Sequence, residues 1–222
     1  MPQVRHHWRM DLTEHDVVAL GDTGASAVVV VGGRRPPAVE AVLRAHLADS
    51  ADVPADDIEL DHGCAECGAR HGSPTVVYPT TAAGGRWYAD AGIAGIVVVA
   101  AVGTRHPLGV GLEPATIASA PLVDEAALHP EERERLADLD PVARPLVRAQ
   151  LWARKSALLR AVGHVGVIEP ALLAVSDPVH DDGIGRITRT LPEFGSRWDR
   201  VRLHDVAVPG RVAASVAVLP RD

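Results

Sequence analysis

The chain has 222 residues, 47% of them hydrophobic and 23% charged, with a formal net charge of −7. That balance is ordinary for a soluble globular protein, the length suits one large domain or two small ones, and the acidic excess excludes broad nucleic-acid affinity, which needs a basic face. The longest apolar run, residues 93–102, contains Gly95 and is about half the ~20 residues that span a bilayer; the first residues lack the apolar core of a signal peptide, and two cysteines make no disulfide framework. A cytoplasmic protein with no nucleic-acid or membrane partner is expected.

In chain order, residues 26–31 are an apolar β-branched run and predict a buried strand. Gly32 to Pro37 breaks it, and Pro37 opens a helix carrying Val39, Val42, Leu43 and Leu47 at helical spacing. Residues 49–57 are a polar connector. Short strands are predicted at 58–60 and 75–78, with a loop at 80–85. The run 91–102 is apolar on both faces and predicts one central strand. Residues 103–107 form a hairpin connection to a strand at 108–112 that leads into Glu113. Residues 126–138 are charged, with 131–135 a solvated helical face. Pro145 opens a helix running to Val162, and Gly163 stops it. Strands at 171–175, 198–206 and 212–218 close the chain, the last two separated by a turn at Pro209-Gly210.

These elements fall into two halves, 1–105 and 106–222, each with a helix and largely antiparallel strands, which predicts an α+β protein with a cleft between halves. Lys155 is the single lysine. A phosphate clamp in this chain therefore rests on arginine, histidine or backbone N–H groups.

Four segments carry a resemblance. They are the turn Cys64-Ala65-Glu66-Cys67-Gly68 with the following Gly72-Ser73-Pro74, the strand Gly109-Val110-Gly111-Leu112-Glu113, the helix from Trp152 to Gly163, and the closing strand after Pro209. Together, in this order, they resemble the 4′-phosphopantetheinyl transferase superfamily, which moves the phosphopantetheine arm of coenzyme A onto a carrier-protein serine. The match covers roughly residues 33 to 220 and implies a pseudo-symmetric fold of two α+β halves. Working members hold Mg²⁺ against the pyrophosphate with three carboxylates, because that ion wants hard oxygen ligands in octahedral geometry.

The chain departs from that pattern at five positions. Glu113 stands where a carboxylate is expected, but Gly111 replaces the strand Asp and Ser156 replaces the helix Glu. Arg160 replaces a lysine, and arginine holds its proton too firmly to act as a base. The family's serine-histidine segment aligns with Trp87 to Asp90, which puts Asp90 where a phosphate-binding histidine belongs. Ser73 stands where many members carry a base. Each departure removes affinity for cation or phosphate, so Glu113 is the one metal ligand left if Mg²⁺ binds, and no cofactor is expected unless the ancestral use of coenzyme A and Mg²⁺ survives. Restoring Gly111→Asp, Ser156→Glu and Arg160→Lys together is a test of that ancestry.

Trp152, Ser156 and Arg160 follow at i, i+4 and i+8 and share a helix face. The resemblance places that face in the cleft. The resulting expectation is a repurposed biosynthetic enzyme of secondary metabolism, of the polyketide or nonribosomal-peptide kind. It would catalyse metal-independent cyclisation or rearrangement of a small or carrier-tethered metabolite. Glu113 would be the acid or base, Arg160 the anion stabiliser and Ser156 a third catalytic group. Trp152, Tyr88, Asp90, His106 and Lys155 would contact substrate. Two alternatives stand beside it: an active transferase using Mg²⁺, and a non-catalytic protein that docks an acyl or peptidyl carrier protein.

Other constellations have plainer readings. His62, Cys64, Cys67 and His71 offer four zinc ligands in ten residues, against a turn with incidental histidines. His180-Asp181-Asp182 reads as a solvated loop rather than a metal site, and Gly32-Gly33-Arg34-Arg35 lacks the strand–glycine–helix context of a phosphate cradle. Trp8 and Trp198 read as packing residues.

Overall fold

A computed structural model describes residues 17–64, 67–70, 72–116, 121–163, 168–190 and 198–220. Twelve strands and four α-helices occur among them: β1 Val17–Ala19, β2 Ala25–Val31, α1 Val39–Ala51, β3 Glu59–Asp61, β4 Thr75–Thr80, β5 Arg86–Ala94, β6 Val97–Gly103, β7 Leu108–Pro114, α2 Pro121–Ala127, α3 Pro130–Asp138, α4 Arg144–Val162, β8 Ala174–Val175, β9 Ile184–Gly185, β10 Ile187–Arg189, β11 Arg202–Asp205 and β12 Val212–Val218. The class is α+β, and every strand pairing found is antiparallel.

Two sheets dominate. A six-stranded sheet runs β1-β2-β6-β5-β4-β3 and a four-stranded sheet runs β7-β12-β11-β9. The period-two alternation of side chains turns them into four layers. Val98, Ala100 and Val102 of β6 meet Val42, Leu43 and Leu47 of α1. Val99 and Ala101 point the other way and pack with Leu108, Val110, Ala214 and Val216 of the second sheet. The opposite face of that sheet packs under α4, where Ala217 and Leu203 meet Leu151, Ala157 and Leu158. The order is helix, sheet, sheet, helix.

Four expectations change. The apolar run at 91–102 is two strands, because Gly95 at φ +60° turns the chain between β5 and β6. Both strands lie mid-sheet, and exposed Ile93 and Ile96 carry the hydrophobicity through the turn and hide it. Residues 103–107 make no hairpin; they carry the chain from one sheet to the other, where β7 pairs with β12. The charged segment near 131–135 is not wholly solvated, since Glu132 is fully buried. The chain also breaks at Leu128-His129 into α2 and α3, where the His129 side chain accepts from Glu131 N and Glu132 returns a bond to His129 N in a capping box. The expected strand at 171–175 starts as a 3₁₀ turn, Pro170–Leu172.

Candidate functional site

The seam between the sheets is set by β7. This strand is the edge of the four-stranded sheet, and its outward N–H groups lack a strand partner. Asp90, fully buried on β5, supplies one: its Oδ2 accepts from Val110 N at 2.7 Å. The same carboxylate is gripped by Arg160 near the end of α4, through Nε to Oδ2 at 2.8 Å and through Nη2 to Oδ1. Burial pushes the Asp90 carboxyl above its ordinary range, and Arg160 pulls it back. Two of the departures from the transferase pattern therefore answer each other. The acid in place of histidine and the arginine in place of lysine are one ion pair across the seam.

A cleft of about 350 Å³ opens beside this pair. Ser73, Arg86, Tyr88, Pro107 and Arg160 are among its walls. The Arg86 guanidinium lies 5.6 Å from the centre of the Tyr88 ring. Ser73 Oγ donates to Leu108 O at 2.8 Å and reaches Arg160 O at 3.3 Å, tying the loop before β4 to β7 and α4. With Nε and Nη2 held by Asp90, Arg160 is fixed in direction, and its Nη1 makes no hydrogen bond among the described residues.

Glu113 lies elsewhere. It is five residues beyond Leu108 on β7, about 17 Å along an extended strand. Its recess is only about 20 Å³, closed by Trp152, Arg148 and Ala149, and holds on the order of one water. Burial raises the Glu113 carboxyl above its ordinary range, and Arg148 opposes the shift. The single cleft expected to unite Glu113, Trp152, Tyr88 and Arg160 is thus two sites at opposite ends of one strand.

The reason lies in small residues. Ala149, Ala153 and Ala157 recur every fourth residue of α4 and are buried. They set the helix backbone directly on β7. A Cβ on Gly111 would stand 2.1 Å from Ala153 O, and one on Gly109 would stand 2.3 Å from Ala157 O and Ala161 N. No side chain fits at either position. Gly111 is therefore the condition for α4 to lie where it does, and the Gly111→Asp change in the test of ancestry is sterically barred. Ser156 is half-buried on the helix face one turn before Arg160.

Lys155 is a correction. It is fully buried, and its ammonium pairs with Glu132 at 2.6 Å while donating to Ala127 O, Pro170 O and Leu173 O. Four acceptors for three N–H groups leave nothing for substrate. Burial lowers its pKa, and Glu132 opposes that. His106 is half-buried in the crossover between sheets. Sequence reasoning missed Arg154, which is fully buried and forked onto Asp205 (Nε–Oδ1 3.0 Å, Nη2–Oδ2 2.6 Å), with Nη1 2.7 Å from Asp181. Asp181 thus belongs to this network and not to a solvated loop. A Cβ on Gly185 would strike the Arg154 guanidinium at 2.6 Å; neither that glycine nor the two distant acids carries a local signal.

The residues present do not fit a Mg²⁺ centre. One carboxylate, a glycine with no room for a side chain and a hydroxyl stand where octahedral oxygen ligation is needed. Among the described residues no three His, Cys, Asp or Glu side chains gather as metal ligands. His71, like Trp8, lies outside the described residues; Cys64 is half-buried, Cys67 is exposed and His62 stands 3.8 Å from Glu40. Gly32 is a tight turn, where a Cβ would meet Arg35 O at 2.3 Å. No family model matches the chain, and no curated protein matches it.

Proposed function

We propose that the chain is a phosphopantetheinyl transferase-like protein that has given up metal-dependent transfer. On this reading the cleft beside Tyr88 and Arg160 holds a small or carrier-tethered metabolite for cyclisation or rearrangement. The four short motifs and the helix–sheet–sheet–helix layering support the ancestry. The observation that carries the loss of transfer is the contact of Gly111 with α4, where the helix backbone fills the space a ligating carboxylate needs. The chemistry available in the cleft is confinement and fixed charge. Arg160, steered by Asp90, holds an anionic oxygen while the Tyr88 ring and Pro107 restrict the rest of the molecule. Glu113 has no role in this cleft, which revises the expectation that it is the acid or base.

The test is incubation with coenzyme A, Mg²⁺ and an apo carrier protein, followed by intact mass measurement. The carrier is expected to keep its mass. A gain equal to the phosphopantetheine arm would overturn the proposal in favour of a working transferase.

A second reading, a non-catalytic protein that docks a carrier protein, is favoured by one observation. Leu122 and Val142 are 81% and 83% exposed on α2 and just before α4, with Val123 and Leu146 also exposed. Binding of a carrier protein that Leu122→Glu with Val142→Glu abolishes, with no turnover of the carrier's cargo, would favour it.

A further inference from the structure

A second cavity, about 310 Å³, lies between α2, α3 and the start of α4. That is at the lower end of the range for small-molecule sites, about 300–1,000 Å³. It is separate from the Tyr88–Arg160 cleft and shares Asp124, Pro145 and Arg148 with the Glu113 recess. Three guanidinium groups line it: Arg133, Arg144 and Arg148. Arg148 is neutralised by Asp124, Nε to Oδ1 at 2.5 Å. The other carboxylate on the wall, Glu125, belongs to an exposed residue.

Arg133 and Arg144 differ from Arg148. Among the described residues neither forms an ion pair, and the Nε of each is buried with no hydrogen-bond partner. Arg144 is held in place because its Nη2 donates to Ala137 O at 3.0 Å and Leu139 O at 2.9 Å. Those acceptors are neutral, and among the described residues no carboxylate lies within ion-pair distance of its guanidinium. Buried polar groups in folded proteins are nearly always satisfied, and a guanidinium N–H is matched best by a carboxylate or phosphoryl oxygen. The remaining wall is apolar, with Pro121, Leu136, Ala137 and Pro145.

We propose that this cavity is a binding site for an organic carboxylate, its head held by Arg133 and Arg144 and its apolar body lying against Leu136 and Pro145. The site does not rest on the function proposed for the Tyr88–Arg160 cleft, and either assignment stands or falls without the other.

The probe is hexanoate, compared with 1-hexanol, which keeps the body and lacks the charge, and with inorganic phosphate, which does the reverse. Calorimetry on the full chain is expected to show one hexanoate bound, more weakly as salt rises, with 1-hexanol at least tenfold weaker and phosphate weaker than hexanoate. Arg133→Gln is expected to weaken hexanoate at least tenfold. Nitrogen-15 spectra of the arginine Nε–H groups read the same site in the unaltered protein, so the proposal stays testable if the variant does not fold: the Arg133 and Arg144 signals are expected to shift together on titration. No saturable hexanoate binding, equal binding of 1-hexanol, or hexanoate binding that leaves both Nε signals unmoved would overturn the proposal. Phosphate binding more tightly than hexanoate would overturn the carboxylate assignment and point to a phosphoryl ligand.

Discussion

Asp90 and Arg160 are joined by a forked ion pair that spans the two sheets, with the acid fully buried and the guanidinium about a third exposed at the lip of the cleft. Seventy residues separate them in the chain. Together they form a polar link across the seam. Removing Arg160 leaves a buried carboxylate that, among the described residues, accepts from Val110 N across the seam and from its own strand.

Stability should therefore depend on pH in an Arg160→Gln variant. Burial already raises the Asp90 pKa, and the variant removes both of Arg160's opposing effects, so it rises further. A carboxyl raised in the folded state binds more protons folded than unfolded. Its stabilising contribution is present below the ordinary Asp value, near 3.9, and is lost as pH climbs through the folded pKa. Urea denaturation across a pH series should show the deficit of the variant growing as pH climbs through the raised Asp90 pKa of the unaltered protein. A deficit that shrinks with pH would contradict the pair's assigned role.

Lys155 should prove to be a structural pin. Lys155→Ala leaves the buried Glu132 without its counter-charge and is expected to cost about 3–5 kcal/mol. Glu132→Gln with Lys155→Met should cost much less than the two single changes summed, because neither charge is then stranded and the Gln oxygen still accepts from Val175 N. A double-mutant cycle by urea denaturation measures the difference.

Gly111→Ala is expected to destabilise by at least about 3 kcal/mol, at the upper end of overpacking effects, because the obstacle is helix backbone rather than a movable side chain. Gly111→Asp should do worse and confer no Mg²⁺ affinity. Thermal denaturation with and without Mg²⁺ tests both.

The Glu113 carboxyl should titrate above the ordinary glutamate range, and Arg148→Met should raise it further by removing the opposing charge. Carbon-13 detection of the side-chain carboxyl reads both values. A fall on losing Arg148 would contradict the geometry of the recess.

Much of the fold was legible in the sequence. Pro145 and Gly163 bracket a helix that the structure starts at Arg144 and ends at Val162, and β12 lies where its run of small apolar residues predicted. What was not legible depended on long-range packing. The turn at Gly95 is masked because apolar residues continue on both sides of it, Ile93 and Ala94 before and Ile96 and Val97 after. The departures at Asp90 and Arg160 read as two separate losses because pairing across the seam has no local signature. The motif puts Glu113 and Arg160 in one cleft because a motif records which residues are present and not how closely a helix approaches a strand. One signal was available: alanines at 149, 153, 157 and 161 opposite glycines at 109 and 111 are the pattern of backbone in direct contact.

The central claim, that α4 occupies the place of a metal cage beside Glu113, is tested most directly with Mn²⁺ standing in for Mg²⁺. In the presence of coenzyme A, Mn²⁺ would broaden the amide signals of residues near its binding site. The account predicts no selective, saturable broadening of Glu113 and Ala153. Saturable broadening centred on those two residues would contradict it.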